Sequence, residues 1–470
     1  MTTELPVPGP HNAITDVPGV LVGQIERTDS PYLTGTTVVH VPAGAVAGVD
    51  VRGGAPGTRE TDLLDPVNSN PGANAIVLTG GSAFGLDAVA GAMSWLEDHG
   101  QGVRVGPGDN DVVPIVPAAV IFDLGRGGAF QARPDRGWAL AAIEAASEDS
   151  VAQGNYGAGA GARVGGLKGG VGSASVRLPD GTTVGALVIV NAVGSAVDSQ
   201  GRLYAERYGL PGEFPVLRTP VEPPPAPQGS APGMNTVIAV VATDAPLDKA
   251  ATKRMAMVAH DGLARAIDPV HTLLDGDTIF ALSTGNPPPK PRPAPNQPSA
   301  EQPPQGQAAA AEAQAGEAAA AEAQAGEAAA GQAQAGEAAA GQGPVEEASA
   351  WQPAAGEALV GETLAGQTLA GQAPAGEASV GEASASAVAA SASAASAPAG
   401  PGAPAAAGVP AVLRVTDPAA LGRLEGVFAA GASTLARAVG HAVLAAESVE
   451  TPEGRLPSYR DAYPSAFSND

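Results

Sequence analysis

Short apolar runs bounded by Gly, Pro or Asp recur along the chain, at residues 37–41, 75–79, 112–121, 183–191, 237–243 and 278–282. Runs of this length, rich in Val, Ile and Ala, predict buried strands. Between them the period of the apolar positions lengthens. Residues 85–99, 137–147 and 247–267 read as helices, and in the last Met255, Val258, Ala259, Leu263 and Ile267 keep an i, i+3/i+4 stripe. Further on, Asp417-Pro418 pairs an N-cap with proline at the first helical position, launching an Ala/Leu/Val helix to about residue 446. A helix that apolar must pack on something, most simply the sheet formed by the earlier strands. The pattern therefore predicts one α/β unit with a late helix returning to it.

Between about residues 286 and 408 the pattern is lost. The stretch opens with Pro287-Pro288-Pro289-Lys290-Pro291, then repeats Ala-Glu-Ala-Gln-Ala-Gly-Glu-Ala-Ala-Ala at 311–320 and 321–330, with a variant at 331–340. With almost no large side chain to bury, it cannot offset its conformational entropy, and a disordered acidic tether is expected. A period of ten gives no stackable face of the solenoid kind. Residues 1–285 and 409–470 are then two parts of one domain, interrupted by an insertion that loop entropy tolerates cheaply.

Composition narrows the partners. Lys and Arg number 24 against 48 Asp and Glu, a net charge of -24, which opposes binding to nucleic acid or anionic membranes. The absence of cysteine removes thiolate metal sites and a cysteine nucleophile. The N-terminus starts acidic and proline-punctuated, and no apolar run of about 18 to 20 residues stands out, so a soluble cytoplasmic protein is the default expectation. The six histidines lack ligand spacing, and no cofactor is expected.

Several glycine motifs fail on inspection. Gly80-Gly81-Ser82-Ala83-Phe84-Gly85 misses the Gly-x-Ser-x-Gly elbow by one residue. Gly157-x-Gly159-x-x-Ala162 follows a helix and loop rather than the strand a dinucleotide site needs. Lys168, in Gly165-Gly166-Leu167-Lys168-Gly169-Gly170, lacks the Gly-Lys-Ser/Thr order of a phosphate loop.

The strongest chemical signal is Asn235-Thr236, placed where a Pro/Gly-rich linker ends and the run at 237–243 begins. Were the bond before Thr236 cut, one residue would carry both a hydroxyl nucleophile and a free α-amine able to act as its base. An unperturbed α-amine has a pKa of about 7.7–8.0. Asp275 and Asp277, two residues apart just before the next strand, can face the same site, or can simply form an acidic turn. Lys168 can bring an ammonium close to a reacting centre, and Asn191 at a strand end offers an amide donor for an oxyanion. A solvent-facing lysine and an ordinary strand-end asparagine read equally from the same residues.

The runs 12–23, 78–88 and 113–124, with Gly154-Asn155, Leu167-Lys168-Gly169-Gly170, Asn235-Thr236, 242–245 and 456–460, together resemble the DmpA-type family of self-cleaving N-terminal-nucleophile aminopeptidases, the L-aminopeptidase/D-esterase type. The resemblance covers nearly everything except the tether. It is nearest to the 6-aminohexanoate-oligomer endohydrolase (nylon-oligomer hydrolase) branch, because Thr follows the cut and residues 259–264 and 274–278 look like that branch. It implies a four-layer αββα sandwich and self-cleavage between Asn235 and Thr236 into an α chain, 1–235, and a β chain from 236. Thr236 would then act on amide bonds of small peptides, amino-acid amides or ω-amino-acid oligomers. Asp275 and Asp277 would position the nucleophile, Lys168 would hold the proton balance of its amine, and Asn191 would stabilise the oxyanion. A homo-oligomer of processed heterodimers is also implied. The family's active-site tyrosine has no clear match: Phe122 lies in the region, and Tyr156 stands where a small apolar residue is expected. Gly81, Ser82, Phe84 and Phe122 are candidate pocket-wall residues. An acyltransferase of the ornithine-acetyltransferase type, which also matures before a Thr, and an uncleaved scaffold protein are the competing readings.

Overall fold

A computed structural model describes residues 5–70, 72–225, 234–285 and 418–467. The described residues on either side of 286–417 cluster as one unit. The tether expected at 286–408, and Asp417 before the late helix, lie outside the described residues.

Nine strands form the main sheet: β1 (Leu21–Arg27), β2 (Thr34–Val51), β3 (Thr58–Arg59), β4 (Gly72–Thr79), β5 (Ala118–Val120), β6 (Gly170–Arg177), β7 (Thr183–Val190), β8 (Ile238–Thr243) and β9 (Thr278–Ser283). Their order is β6-β7-β8-β9-β2-β4-β5-β3, with β1 also on β2. The 18-residue β2 is the pivot: its first part pairs with β1 and β4, its second with β9, and the register to β4 breaks between His40 and Ala45. About this strand the sheet folds into two layers. Val39, Ile76 and Leu78 from one half meet Leu187, Ile189, Val240 and Phe280 from the other in a shared core.

Alternation along the strands places the helices. The opposite faces of β2 and β4, with Val38, Ala75 and Val77, pack on α1 (Val89–Asp98) and α2 (Arg136–Glu144). On the other side Ala186, Val188, Ala239 and Val241 pack on α3 (Lys249–Ala266) and α4 (Pro418–Ala445). The result is the four-layer αββα sandwich. Each Leu, Ile, Val or Phe removed from water in these three cores contributes about 1.5–3 kcal/mol.

Several expectations need correction. The run at 112–121 is not one strand: Val112–Val113 and β5 are separated by Pro114 and Pro117, whose nitrogens cannot donate to a ladder. The helix expected from 85 begins as a 3-10 turn at Ser82–Ala88. In α3, Asp248 caps Ala251 N–H, and the stripe is buried except at half-buried Val258. The strands β1 and β6, which carry Gly and polar residues, were not expected from the pattern.

The late helix also corrects the expectation that no segment is long and apolar enough to span a membrane: 420–445 meets that criterion by length and composition. Within the fold it is a core helix. Leu424, Val427, Leu435, Val439 and Val443 are buried against β6, β7 and α3. Close approach is bought with glycine at two points, because a Cβ on Gly172 would lie 1.9 Å from Ala438 O and one on Gly262 2.3 Å from Ala432 O.

A buried polar cluster ties α4 to the N-terminal half. Arg437 Nε donates to both Glu213 oxygens at 2.9 and 2.7 Å, and Arg437 Nη2 reaches Asn12 Oδ1 at 2.7 Å. Asn12 Nδ2 donates to Glu213 Oε1 at 2.8 Å, and His441 Nε2 lies 2.8 Å from the same oxygen. Burial alone would raise the Glu213 pKa, but the His441 and Arg437 hydrogen bonds and the Arg437 charge outweigh it and hold the carboxyl far below its usual range.

Candidate active site

Strand register gathers residues far apart in sequence. Antiparallel pairing sets Gly170 of β6 against Val190 of β7 and Ile189 against Ile238 of β8, while parallel pairing sets Ile238 against Thr278 of β9. The residues just outside these ends, Lys168, Asn191, Thr236 and 275–277, therefore meet at one end of four neighbouring strands.

Thr236 is 5% exposed, and its hydroxyl donates to the carbonyl oxygen of Asn235, the bond that would be cut. Its N–H donates to Asn191 O at 2.6 Å, and Asn235 N–H to Leu274 O at 3.2 Å. Both aspartates are buried and accept backbone donors near Thr236. Asp277 Oδ1 takes Val237 N–H at 2.8 Å, and Asp275 Oδ1 takes Val193 N–H at 3.2 Å. Asp275 Oδ2 also accepts Thr272 Oγ1 at 2.6 Å. Burial, reinforced by the Asp277 charge, pushes the Asp275 pKa up. Between them, a Cβ on Gly276 would lie 2.9 Å from Thr236 Oγ1, so the turn is pressed against the Thr236 hydroxyl.

Lys168 is buried on a two-residue strand, Leu167–Lys168, paired with Arg163–Val164. Its Nζ donates to the carbonyls of Gly159 and Gly169 at 2.9 and 2.8 Å; no hydrogen bond joins it to Thr236. Burial, helped by the Arg126 charge, lowers its pKa to about 7. Asn191 is buried, with Oδ1 accepting from Arg126 Nη1 at 2.7 Å and from Arg163 N–H at 3.1 Å, and Nδ2 reaching Phe122 O at 3.3 Å.

Of the pocket-wall candidates, Phe122 touches this group through that carbonyl. Gly81 is linked less directly, its N–H donating 2.6 Å to Asp123 Oδ1. Ser82 adopts a φ of 51° and bonds Ile121 O, while Phe84 is half exposed, with Arg133 over its ring and Phe130 at its edge. Tyr156 is also half exposed and lines a separate cavity with Tyr32 and Glu447.

Three residues were not singled out from sequence. Arg126 donates to Gly161 O and to Asn191, and its Nη2 reaches Asn235 Oδ1 at 3.0 Å. Burial and the Arg163 charge lower its pKa to about 9. Asp123 is buried beside it, and burial raises its pKa. His271, at a φ of 57°, lies 2.7 Å through Nδ1 from Asp277 Oδ2 and donates its backbone N–H to the same oxygen at 3.0 Å. Asp123 lies within the 113–124 run that carries the family resemblance, and that was its only signal; the loops holding Arg126 and His271 have no periodicity to mark them.

Comparison with known proteins fits this geometry. Residues 12–344 match the family described as Peptidase family S58. An uncharacterized aminopeptidase of Mycobacterium tuberculosis (strain ATCC 25618 / H37Rv) is 51% identical over 287 residues, covering 58% of this chain and 82% of its own. A 6-aminohexanoate-oligomer endohydrolase of Kocuria sp. (strain KY2) is 34% identical over 289 residues, covering 57% and 74%. Two solved structures share the fold. A Burkholderia sp. beta-aminopeptidase aligns over 100% of this chain and 98% of its own, with a TM-score of 0.56 at 20% identity. The L-aminopeptidase D-Ala-esterase/amidase of Ochrobactrum anthropi, described as a variant of the Ntn hydrolase fold, aligns over 96% and 92% with a TM-score of 0.54 at 19% identity. With its αββα layers and its match over most of the sequence, the chain belongs to the S58 (DmpA-type) peptidase family and is a peptide-bond hydrolase of the Ntn hydrolase fold.

Proposed function

We propose that the chain matures by cutting itself between Asn235 and Thr236, and that Thr236 then hydrolyses amide bonds of small peptides, amino-acid amides or ω-amino-acid oligomers. The observation that carries this reading is the Thr236 hydroxyl resting on the Asn235 carbonyl, between the Asp275–Asp277 turn and Asn191. In maturation Thr236 Oγ1 attacks the Asn235 carbonyl carbon, the C–N bond breaks as the nitrogen gains a proton, and an ester links the two halves. Water then cleaves the ester, leaving a carboxylate on Asn235 and a free amine and hydroxyl on Thr236. The same hydroxyl attacks substrate amides, the α-amine taking its proton. Asp277 holds the backbone just after Thr236 and Asp275 holds that of Val193, Lys168 supplies a base near neutrality, and the Asn191 amide, which in the uncut chain donates to Phe122 O, turns from it to the developing oxyanion. The processed halves act as a homo-oligomer of heterodimers in the cytoplasm.

Intact-mass spectrometry tests maturation. Two species of 235 residues each, one starting at Thr236 and together weighing the precursor plus one water, are expected; a single full-length mass under active conditions overturns the reading. Aminoacyl-p-nitroanilides beside 6-aminohexanoate oligomers then assign the substrate, and acetyl transfer from acetylornithine to glutamate without amide hydrolysis would select an acyltransferase instead.

Lys168 makes a separable pH prediction. In the precursor the Thr236 nitrogen is a peptide nitrogen, so the α-amine cannot contribute to the pH dependence of self-cleavage. The cleavage rate is therefore expected to rise with pH through about 7, as Lys168 becomes neutral. Lys168→Arg, which stays charged, is expected to lose this limb and slow maturation by roughly 10²-fold or more. A mass-spectrometric time course at several pH values reads both.

A further inference from the structure

Resting on that reading, we infer that Arg126 is the specificity-determining residue of the acyl subsite and selects substrates whose acyl residue carries a carbonyl or carboxylate on its side chain, asparaginyl and aspartyl amides above all. Asn235 is the first acyl group that Thr236 would attack, and its side-chain oxygen is held by Arg126 Nη2 at 3.0 Å. One hydroxyl attacks both carbonyls, so the acyl residue of a later substrate must occupy the place that Asn235 leaves. The guanidinium is fixed there from behind by Asn191 Oδ1 and Gly161 O. It also borders a cavity of about 250 Å³ lined by Phe122, Leu124, Arg163, Glu453 and Leu456.

Departure of Asn235 leaves Arg126 Nη2 a half-buried cationic donor facing vacated space. A donor of that kind is costly without an acceptor, and a planar guanidinium is matched by an amide oxygen or a carboxylate. An apolar acyl residue of similar size fills the space but leaves the donor unmatched, and that asymmetry yields the largest discriminations binding sites achieve. The same charge opposes an ω-ammonium in this subsite, so 6-aminohexanoyl groups are disfavoured there.

The test uses purified protein whose processing has been established by intact mass, so that failed maturation is read separately from wrong specificity. Asparaginyl-, aspartyl-, leucyl- and 6-aminohexanoyl-p-nitroanilides are compared by kcat/KM. Asparaginyl and aspartyl substrates are expected to exceed the leucyl one by at least about tenfold, and Arg126→Met is expected to erase that ratio, mainly through KM. Equal preference in the unaltered enzyme, or an equal loss on all substrates in the variant, overturns the inference. Because Arg126 also braces Asn191, the variant can fail to mature. Competitive inhibition of the unaltered enzyme by free asparagine and aspartate against leucine then decides: tighter binding of the first two supports the subsite, and equal binding overturns it.

Discussion

Thr236→Ala is expected to leave a single uncut chain of 470 residues without measurable amide hydrolysis. The substitution removes a hydroxyl and a methyl group at a buried position, a small change for the fold. It removes the attacking atom from both proposed reactions, however, and without the cut no α-amine is generated to serve as base. Losses on removing a nucleophile that works as part of a unit are large and non-additive, and roughly 10³-fold or more is expected here. Thr236→Ser, which keeps the hydroxyl, is expected to cut itself more slowly but completely. Intact mass over days and a turnover assay on the same samples separate the outcomes. A Thr236→Ala protein that hydrolyses amides at the unaltered rate would sink the mechanism.

The second large effect is on stability. Glu213 and Arg437 have side chains only 1% and 2% exposed, and each is the principal partner of the other's charge. Arg437→Met strands the carboxylate among Asn12 and His441 with no guanidinium, and a loss of about 3–5 kcal/mol is expected. Pairing Arg437→Met with Glu213→Leu is expected to recover part of it, because desolvating two charges is itself costly. The Glu213 carboxyl has a folded pKa held below its unfolded value of about 4.3. Its contribution is therefore complete above that value and is lost as pH falls toward the folded pKa. The melting temperature of the unaltered protein should drop on acidification through this range more steeply than that of Glu213→Gln. Thermal melts of both at neutral and acid pH check the sign. Asn12 and Glu213 lie before the proposed cut, Arg437 and His441 after it, so Arg437→Met should also loosen the hold between processed halves, readable by gel filtration.

Legibility followed the physics of each element. The strands at 183–191 and 237–243 stood out because both faces are buried, which demands continuous apolar side chains. β6 did not, because Gly172, Ser173 and Ser175 serve local needs: close approach of α4 at Gly172, and hydrogen bonds from Ser173 to Ala186 O and from Ser175 to Asp16. Thr236, Asp275, Asp277, Lys168 and Asn191 were nameable because their residue types and their places beside strands or glycines suggest chemistry. Arg126 and His271 were not, since an arginine or histidine in an aperiodic loop reads as surface until its partners are known.

By itself the amino-acid sequence determined the residue types at the candidate site, the apolar periods that make the strands and helices, and the family to which the chain belongs. Those properties are local, written in side-chain chemistry and spacing. Tertiary structure decided the rest. Folding of the sheet about β2 created two layers from one nine-stranded sheet, and the pairing register across β6, β7, β8 and β9 brought positions 168, 191, 236 and 275–277 to one end. Whether Lys168 is a solvated cation or a buried base near neutrality depends on the layers closed over it, because only desolvation and the nearby Arg126 charge shift its proton equilibrium.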